Sequence, residues 1–139
     1  MGIISLASGS SCWRGLDYYK EKRVVELNKI NENEYSSIVK GTNNYNVHLD
    51  IEHPRKSSCN CPLANGKRII CKHIVATYFT AFPNEAVSFE EEQNRLQEEY
   101  EKEQEEEYDK AIKYLNRMSK QELIEELIQV FDYGPEWIY

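Results

Sequence analysis

Four residues in the middle of the chain have the types and the spacing of a metal site. Cys59 and Cys61 are separated by one residue, and after nine further residues Cys71 and His73 are again separated by one, which gives the pattern C-x-C-x9-C-x-H. Zinc prefers four tetrahedral ligands of thiolate sulfur and imidazole nitrogen. Because four protein ligands leave no open position, the pattern predicts a structural rather than a catalytic zinc site.

Two other interpretations of these residues stay open at this point. They are ordinary buried cysteines, or a disulfide such as Cys59–Cys71. Four such residues within a 15-residue stretch are poorly explained by packing, and disulfides are disfavoured in a reducing cytosol. Of the remaining candidate ligands, Cys12 is expected as a half-buried thiol on a first helix. His48 is expected on the solvent-exposed face of a strand and His53 at the end of that strand.

A short helix and three strands are expected to precede the metal site. Residues 10–21 have helical spacing, with Ser10 or Ser11 as the cap. Strand-like runs follow at residues 23–30, 35–40 and 45–51, and the third alternates apolar and polar residues with a period of two. The sequence therefore predicts an α+β fold with a small three-stranded antiparallel meander, whose apolar face is covered by helix.

The second pair of ligands is expected at the start of another helix. Between the two pairs, Pro62 and Gly66 are expected to fold the loop back so that the pairs meet. The helix begins near Cys71 and runs to about Phe82, where Pro83 stops it. The positive end of that helix favours thiolate. Its inner side is expected to carry Ile74, Val75, Tyr78, Phe79 and Phe82.

Charge divides the chain at residue 83. Residues 1–83 carry 11 Lys and Arg against 7 Asp and Glu, whereas residues 84–139 carry 6 against 17. We expect a zinc-finger domain over residues 1–83 and an acidic helical extension over residues 84–139. The sequence predicts helices over residues 88–117 and 120–131 of this extension, with capping boxes at Ser88 and Ser119. Gly134-Pro135 is read as the end of the second helix.

Composition excludes several classes of protein. The 139 residues carry a net charge of -7, no apolar run approaches the roughly 20 residues of a membrane span, and four cysteines are too few for a disulfide scaffold. We expect a cytoplasmic protein that contacts no membrane. There is no Gly-rich phosphate loop, no G-x-S-x-G and no H-E-x-x-H. We therefore expect no enzyme activity and no small-molecule substrate.

The residues around the predicted zinc site resemble a known family. Cys59-Asn60-Cys61-Pro62, then Gly66, then the run from Cys71 to Ala76 is similar to the SWIM zinc finger. Upstream, the run from Arg14 to Tyr19 and the run from Val39 to Thr42, with Tyr45 and Val47, resemble the opening and a strand pair of bacterial SWIM proteins. The resemblance covers about residues 10–82. The four residues from Lys67 to Ile70 depart from it, since the family loop is often tighter.

The resemblance carries implications of its own. It implies that Cys59, Cys61, Cys71 and His73 are the zinc ligands. It also implies a DNA-binding or protein-interaction module of the kind found in Swi/Snf-type ATPases, transposases and small bacterial proteins. The family as a whole does not imply any single activity. Residues 118–124 are similar to a helix that often follows the finger.

Basic residues near the metal predict a nucleic-acid partner, DNA first. There is no Asp or Glu between Arg55 and Lys72, and several cations on one loop predict weak, strongly salt-dependent binding to phosphates. Base-specific readout is not expected, although Lys72 and Thr77 are placed on the outer side of the helix, and Tyr45 and Tyr78 are expected in the core. The candidate contact residues are Arg55, Lys56, Lys67, Arg68 and Lys72.

Three alternatives to nucleic-acid binding stay open. In the first, the loop cations bind no partner and only keep a solvated loop soluble. In the second, the acidic tail covers the basic loop of the same chain. The third alternative is a protein-interaction adaptor that uses the helical extension and, by the resemblance, acts beside a Swi/Snf-type ATPase. The docking arm is expected to be the long charged helix with its narrow apolar line, which ends in the aromatic residues Phe131, Tyr133, Trp137 and Tyr139.

Overall fold

A computed structural model describes residues 2–133 of the chain. The chain divides into two compact units, residues 1–90 and 91–139. The division into functional domains at residue 83 stays a prediction. The elements of the first unit are, in order, α1 (Ile3–Leu6), α2 (Gly9–Lys20), β1 (Val24–Lys29), β2 (Glu34–Lys40), β3 (Asn44–Asp50), a 3-10 turn (Pro54–Lys56), β4 (Ser58–Cys59) and α3 (Lys72–Ala81).

The α+β class is confirmed, but the strand count is wrong. Among the described residues, the sheet is antiparallel and has four strands in the order β1-β2-β3-β4, not three. The additional strand, β4, pairs Ser58 with His48 and Cys59 with Val47. A strand of two residues is too short to show the alternation by which strands are recognised in a sequence. It matters here because it places the first metal-site cysteine in the sheet.

The core of the first unit lies between α3 and the sheet. Ile74, Val75 and Phe79 of α3 are fully buried, as are Val39 of β2 and Leu49 of β3. These side chains follow the helical and strand periods that the sequence shows, so removing their apolar surface from water favours this packing. Tyr78 is half-buried against the same core, and the ring of the half-buried Phe82 lies 5.4 Å from the Tyr78 ring.

Helix α2 crosses α3 at close range through Gly15. A Cβ atom built on Gly15 would lie 2.5 Å from Cβ of Val75 and 3.0 Å from the backbone oxygen of Lys72. No real side chain fits at that distance without movement of one of the helices. Because Gly15 has no side chain, α2 can approach α3, the helix that carries His73, this closely.

Several helix boundaries differ from the prediction. Helix α2 is capped by Ser8, whose side chain accepts a hydrogen bond from the backbone N–H of Ser11, not by Ser10 or Ser11. Pro83 does not simply stop α3, because it also begins α4 (Pro83–Asn116), and Ser88 lies inside that helix rather than at its start. Proline is well suited to a first helical position, where its missing N–H is no loss.

The rest of α4 and α5 (Lys120–Tyr133) make up the described part of the second unit. Residues 98–107 of α4 are all exposed, as their glutamate content predicts. The capping box at Ser119 is confirmed, since the Glu122 N–H donates to the Ser119 hydroxyl over 3.2 Å. The predicted helix end at Gly134-Pro135 lies outside the described residues. None of the helices between residues 2 and 133 has the length and apolarity needed to cross a membrane.

Candidate metal centre and its surroundings

The structure brings the four predicted ligands together. One donor atom from each of Cys59, Cys61, Cys71 and His73 lies within 4.8 Å of the other three, and all four side chains are buried. They come from β4, the loop that follows it, and the start of α3. The cysteines form no disulfide. The interpretation of Cys59 and Cys71 as a disulfide is therefore wrong.

The distances within the cluster fit a tetrahedral zinc ion. Nδ1 of His73 lies 3.7 Å from Sγ of Cys59 and 3.7 Å from Sγ of Cys71. With usual zinc–sulfur and zinc–nitrogen bond lengths, two ligands of a tetrahedral ion stand about 3.6 Å apart. The buried donor set therefore has the composition that zinc prefers, and the two distances from Nδ1 of His73 match those between two ligands of a tetrahedral ion.

The surroundings of Cys59 and Cys71 shift the pKa values of their thiols in opposite directions. A hydrogen bond with Cys71, together with burial, raises the pKa of Cys59 above its usual range. The same bond lowers the pKa of Cys71, and hydrogen bonds from His73 and from the backbone N–H of Ile74 lower it further against the opposing effect of burial. The start of α3 thus favours a thiolate at Cys71.

The first pair of cysteines is fixed by the sheet. Cys59 pairs with Val47 across the β3–β4 ladder. Asn60, between the two cysteines, accepts a hydrogen bond from the Asn46 backbone N–H over 2.8 Å and returns one from its own N–H to the Asn46 oxygen over 3.3 Å. The turn at Cys61 then continues with Ala64 and Asn65, whose N–H groups both donate to the Cys61 oxygen. Both cysteines are therefore held in place by backbone hydrogen bonds.

The imidazole of His73 is packed between aromatic side chains. Its ring centroid lies 4.5 Å from that of Tyr45 and 5.5 Å from that of Tyr18. Gly41 also lies close to the ring, because a Cβ atom there would lie 3.4 Å from Nε2 of His73 and 3.0 Å from the Tyr45 ring. This packing fixes the ring orientation that directs Nδ1 toward the cysteines.

Thr77 does not face outward, so its prediction as an outer position is wrong. It is fully buried, where its hydroxyl donates to the backbone oxygen of His73 over 2.9 Å. That bond uses the only hydroxyl proton of Thr77, so the Ser37 hydroxyl is the donor in the 2.7 Å hydrogen bond between the two side chains. The hydroxyl pair therefore ties the first turn of α3 to strand β2.

The other candidate ligands lie away from the cluster. Cys12 is more buried than expected, at 4% exposure, and its thiol donates to the backbone oxygen of Ile4. His48 is half-buried, with Nε2 3.0 Å from a carboxylate oxygen of Glu34. His53 is exposed at the polar end of the sheet. Among residues 2–133, the metal cluster contains Cys59, Cys61, Cys71 and His73 and none of these three.

The predicted basic residues do not form one patch. Arg55, Lys56 and Arg68 line one groove, which Glu52 and His53 also line. Lys72 is half-buried and lines a different cavity, next to the metal cluster. Lys67 is exposed and lines neither of these two. The sequence alone does not separate these groups because the loop between the two cysteine pairs has no periodicity.

One cationic residue at that second cavity is not among the candidate contact residues that the sequence indicates. Arg14, in the first turns of α2, lines the cavity together with Lys72. It lies 45 residues before Cys59 in the chain, so charge counting along the loop does not reach it. The resemblance of the run from Arg14 to Tyr19 to the opening of bacterial SWIM proteins is the one sequence signal noted at this position.

Comparison with known families agrees with the geometry. Residues 45–81 match the family model of the SWIM zinc finger. The matched segment runs from β3 to the end of α3 and contains all four clustered donors. Residues 45–81 therefore correspond to a SWIM zinc finger, as the resemblance indicated. No curated protein and no solved structure matches the chain at a significant level.

Proposed function

We propose that Cys59, Cys61, Cys71 and His73 hold one structural zinc ion and that the finger serves binding rather than catalysis. The observation that carries the zinc assignment is the spacing of four buried donors, all within 4.8 Å of one another. When bound, zinc would supply a fixed link between β4, the loop and α3. All four tetrahedral positions would be filled by protein, which supports a structural and not a catalytic role.

The zinc ion would contribute much of the stability of this region. Binding of structural zinc is worth on the order of 10 kcal/mol of apparent folding free energy in small zinc fingers. The segment from residue 60 to residue 71 contains no helix or strand and is held at its two ends by the clustered donors. Its conformation therefore depends on the metal more than the packed core of α3 and the sheet does.

We propose nucleic acid, and DNA first, as the partner of this finger. Support comes from the groove lined by Arg55, Lys56 and Arg68. None of these cations has an ion-pair partner among residues 2–133. Free cations that share a groove bind phosphates by releasing counterions, so the affinity falls as the salt concentration rises. Glu52 in the same groove offsets part of that charge, which favours modest affinity.

Binding isotherms against double-stranded and single-stranded DNA and RNA test this proposal. We expect the R55Q/K56Q variant to weaken binding and to reduce the slope of log affinity against log salt by about 2 units. The control K29Q/K102Q removes the same charge at exposed positions outside the groove and is expected to bind like the unmodified chain. No salt-dependent binding to any of these nucleic acids, or equal loss in the control, would contradict the proposal.

A second candidate function is protein docking through α5. Leu127, Ile128 and Phe131 expose 61%, 58% and 91% of their surface. Apolar side chains exposed together on one helix are typical of docking surfaces. If the chain binds no nucleic acid, cross-linking in extracts of the native cell with the unmodified chain and with I128D/F131D becomes the test. A partner captured equally by both forms would contradict docking through this surface.

A further inference from the structure

A cavity of about 450 Å³ opens beside the metal cluster. Its volume lies within the range of about 300–1,000 Å³ that small-ligand sites occupy. Segments distant in the sequence contribute to it: Arg14 and Tyr18 from α2, Tyr45 from β3, Leu63 from the loop after β4 and Lys72 from the start of α3. The fold thus brings together the parts of the chain that carried the family resemblance.

The walls of this cavity carry positive charge without an acidic partner. Arg14 and Lys72 are its cationic side chains, and within residues 2–133 no Asp or Glu lines it. Neither cation forms an ion pair within that part of the chain. Lys72 Nζ instead lies 5.0 Å from the centre of the Tyr18 ring. A guanidinium and an ammonium group that line one cavity supply the charge and the donors that a phosphate needs.

Hydroxyl and apolar groups complete the cavity. Ser10 and Thr42 are exposed hydroxyl residues in its lining, and both can donate to a phosphate oxygen. The remaining walls include the half-buried Tyr45 ring and Leu63, which is 53% exposed. Aromatic rings beside cations are the combination on which single-stranded bases stack in many nucleic-acid-binding proteins.

We propose that this cavity binds one nucleotide unit of a single-stranded nucleic acid. The phosphate would lie between Arg14 and Lys72, and the base would lie against Tyr45 and Leu63. An unpaired nucleotide can turn both its base and its phosphate into one cavity, whereas a base held in a duplex cannot, so single strands are the expected ligand. This assignment rests on the proposed nucleic-acid function and adds to it a second site, separate from the groove of Arg55 and Lys56.

Balancing the negative charge of the zinc centre is a second role that these two cations could have. Three thiolates and one zinc ion carry a formal charge of -1, and Cys61 and Cys71 line the same cavity. One cation suffices to balance that charge, and the cavity holds two. The experiment must therefore follow zinc retention together with ligand binding.

The test uses the full chain with zinc bound and a 5′-labelled single-stranded hexanucleotide, followed by fluorescence anisotropy at low salt. We expect R14Q and K72Q each to weaken hexanucleotide binding about tenfold, with the zinc content unchanged. The control K29Q is expected to bind the hexanucleotide like the unmodified chain. Duplex binding is expected to change less than twofold in R14Q but to fall in R55Q/K56Q.

Four outcomes would overturn the proposal. Hexanucleotide binding that survives both R14Q and K72Q, while the duplex still binds, would remove the cavity site and leave the nucleic-acid function in place. No binding of either probe by the unmodified chain would remove both. Loss of zinc in R14Q would assign Arg14 to balancing the metal charge. Inorganic phosphate that competes as strongly as the hexanucleotide would assign the cavity to a phosphate alone, without the base contact.

Discussion

The backbone N–H of Asn46 donates a hydrogen bond to the side-chain oxygen of Asn60 over 2.8 Å. Asn60 lies between two of the clustered cysteines, and Asn46 lies on the central strand β3. This bond connects the metal-site turn with the sheet beyond the end of the short β4 ladder. The position of Cys59 and Cys61 therefore depends on a side chain that is not itself a metal ligand.

Replacing Asn60 tests that dependence. We expect N60A to lower the free energy of unfolding by about 1 kcal/mol and to weaken zinc binding, because the turn loses its side-chain contact with β3. Thermal unfolding and chelator competition measure the two effects. The control is N65A, since Asn65 is exposed and its side chain forms no hydrogen bond among residues 2–133. Identical behaviour of N60A and N65A would contradict the account.

The close crossing of α2 and α3 makes Gly15 sensitive to any side chain. A Cβ atom there would lie 2.5 Å from the Val75 Cβ atom, so we expect G15A to destabilise the protein by about 1–3 kcal/mol. Denaturant unfolding measures the change. The matched control is G9A, because Gly9 is in the same helix and has no atom within 4 Å of its Cβ position.

The G9A control has its own expected sign. Alanine is a better helix former than glycine, so G9A is expected to be neutral or slightly stabilising. A G15A variant as stable as G9A would show that the two helices do not approach as closely as the structure has them.

The buried hydroxyl pair predicts unequal effects of two substitutions. T77V leaves the Ser37 hydroxyl buried without an acceptor, and we expect it to cost about 1–3 kcal/mol of folding free energy. S37A costs less, because Thr77 keeps its hydrogen bond to the His73 oxygen. The double variant is expected to be less destabilised than the sum of the single ones. Equal costs that add in the double variant would contradict the donor assignment.

Zinc binding is expected to release protons. The pKa of Cys59 is raised by its hydrogen bond with Cys71 and by burial, so Cys59 stays protonated at neutral pH until a metal displaces its proton. The pKa of Cys71 is lowered, so Cys71 is already a thiolate there. Protons compete with zinc for these donors, so the zinc affinity is expected to fall as the pH falls.

Calorimetry in buffers of different ionisation enthalpy counts the protons released on zinc binding. We expect net release at pH 7 in the unmodified chain. The control C12A removes a thiol outside the cluster, whose pKa is raised by burial alone, and is expected to release the same number. Zinc binding without proton release would be inconsistent with a protonated Cys59.

The sequence predicts the long elements and the ligands, because each has a local signal. Alternation shows β3, helical spacing shows α3, and the paired spacing shows Cys59, Cys61, Cys71 and His73, whose grouping the structure reproduces. These features depend on residues close together in the chain. The α+β class follows from them directly.

What the sequence does not predict depends on contacts between distant residues. The strand β4 is two residues long and exists through its pairing with β3. Thr77 is polar, and in the interior its hydroxyl is satisfied by the His73 backbone oxygen and by Ser37 on β2, a contact between residues 40 positions apart. The cavity brings Arg14 to Lys72 across 58 positions of the chain. A pattern within a single segment does not indicate contacts with residues that are distant in the sequence.

The central claim is that three sulfurs and one imidazole bind one zinc ion. Elemental analysis of the purified chain, together with chelator-induced unfolding, tests this most directly. We predict one zinc per chain, lost in C59A and C71A but kept in C12A, and loss of cooperative unfolding when a chelator removes the metal. A purified chain that contains no metal and still unfolds cooperatively in the presence of chelator would contradict the account.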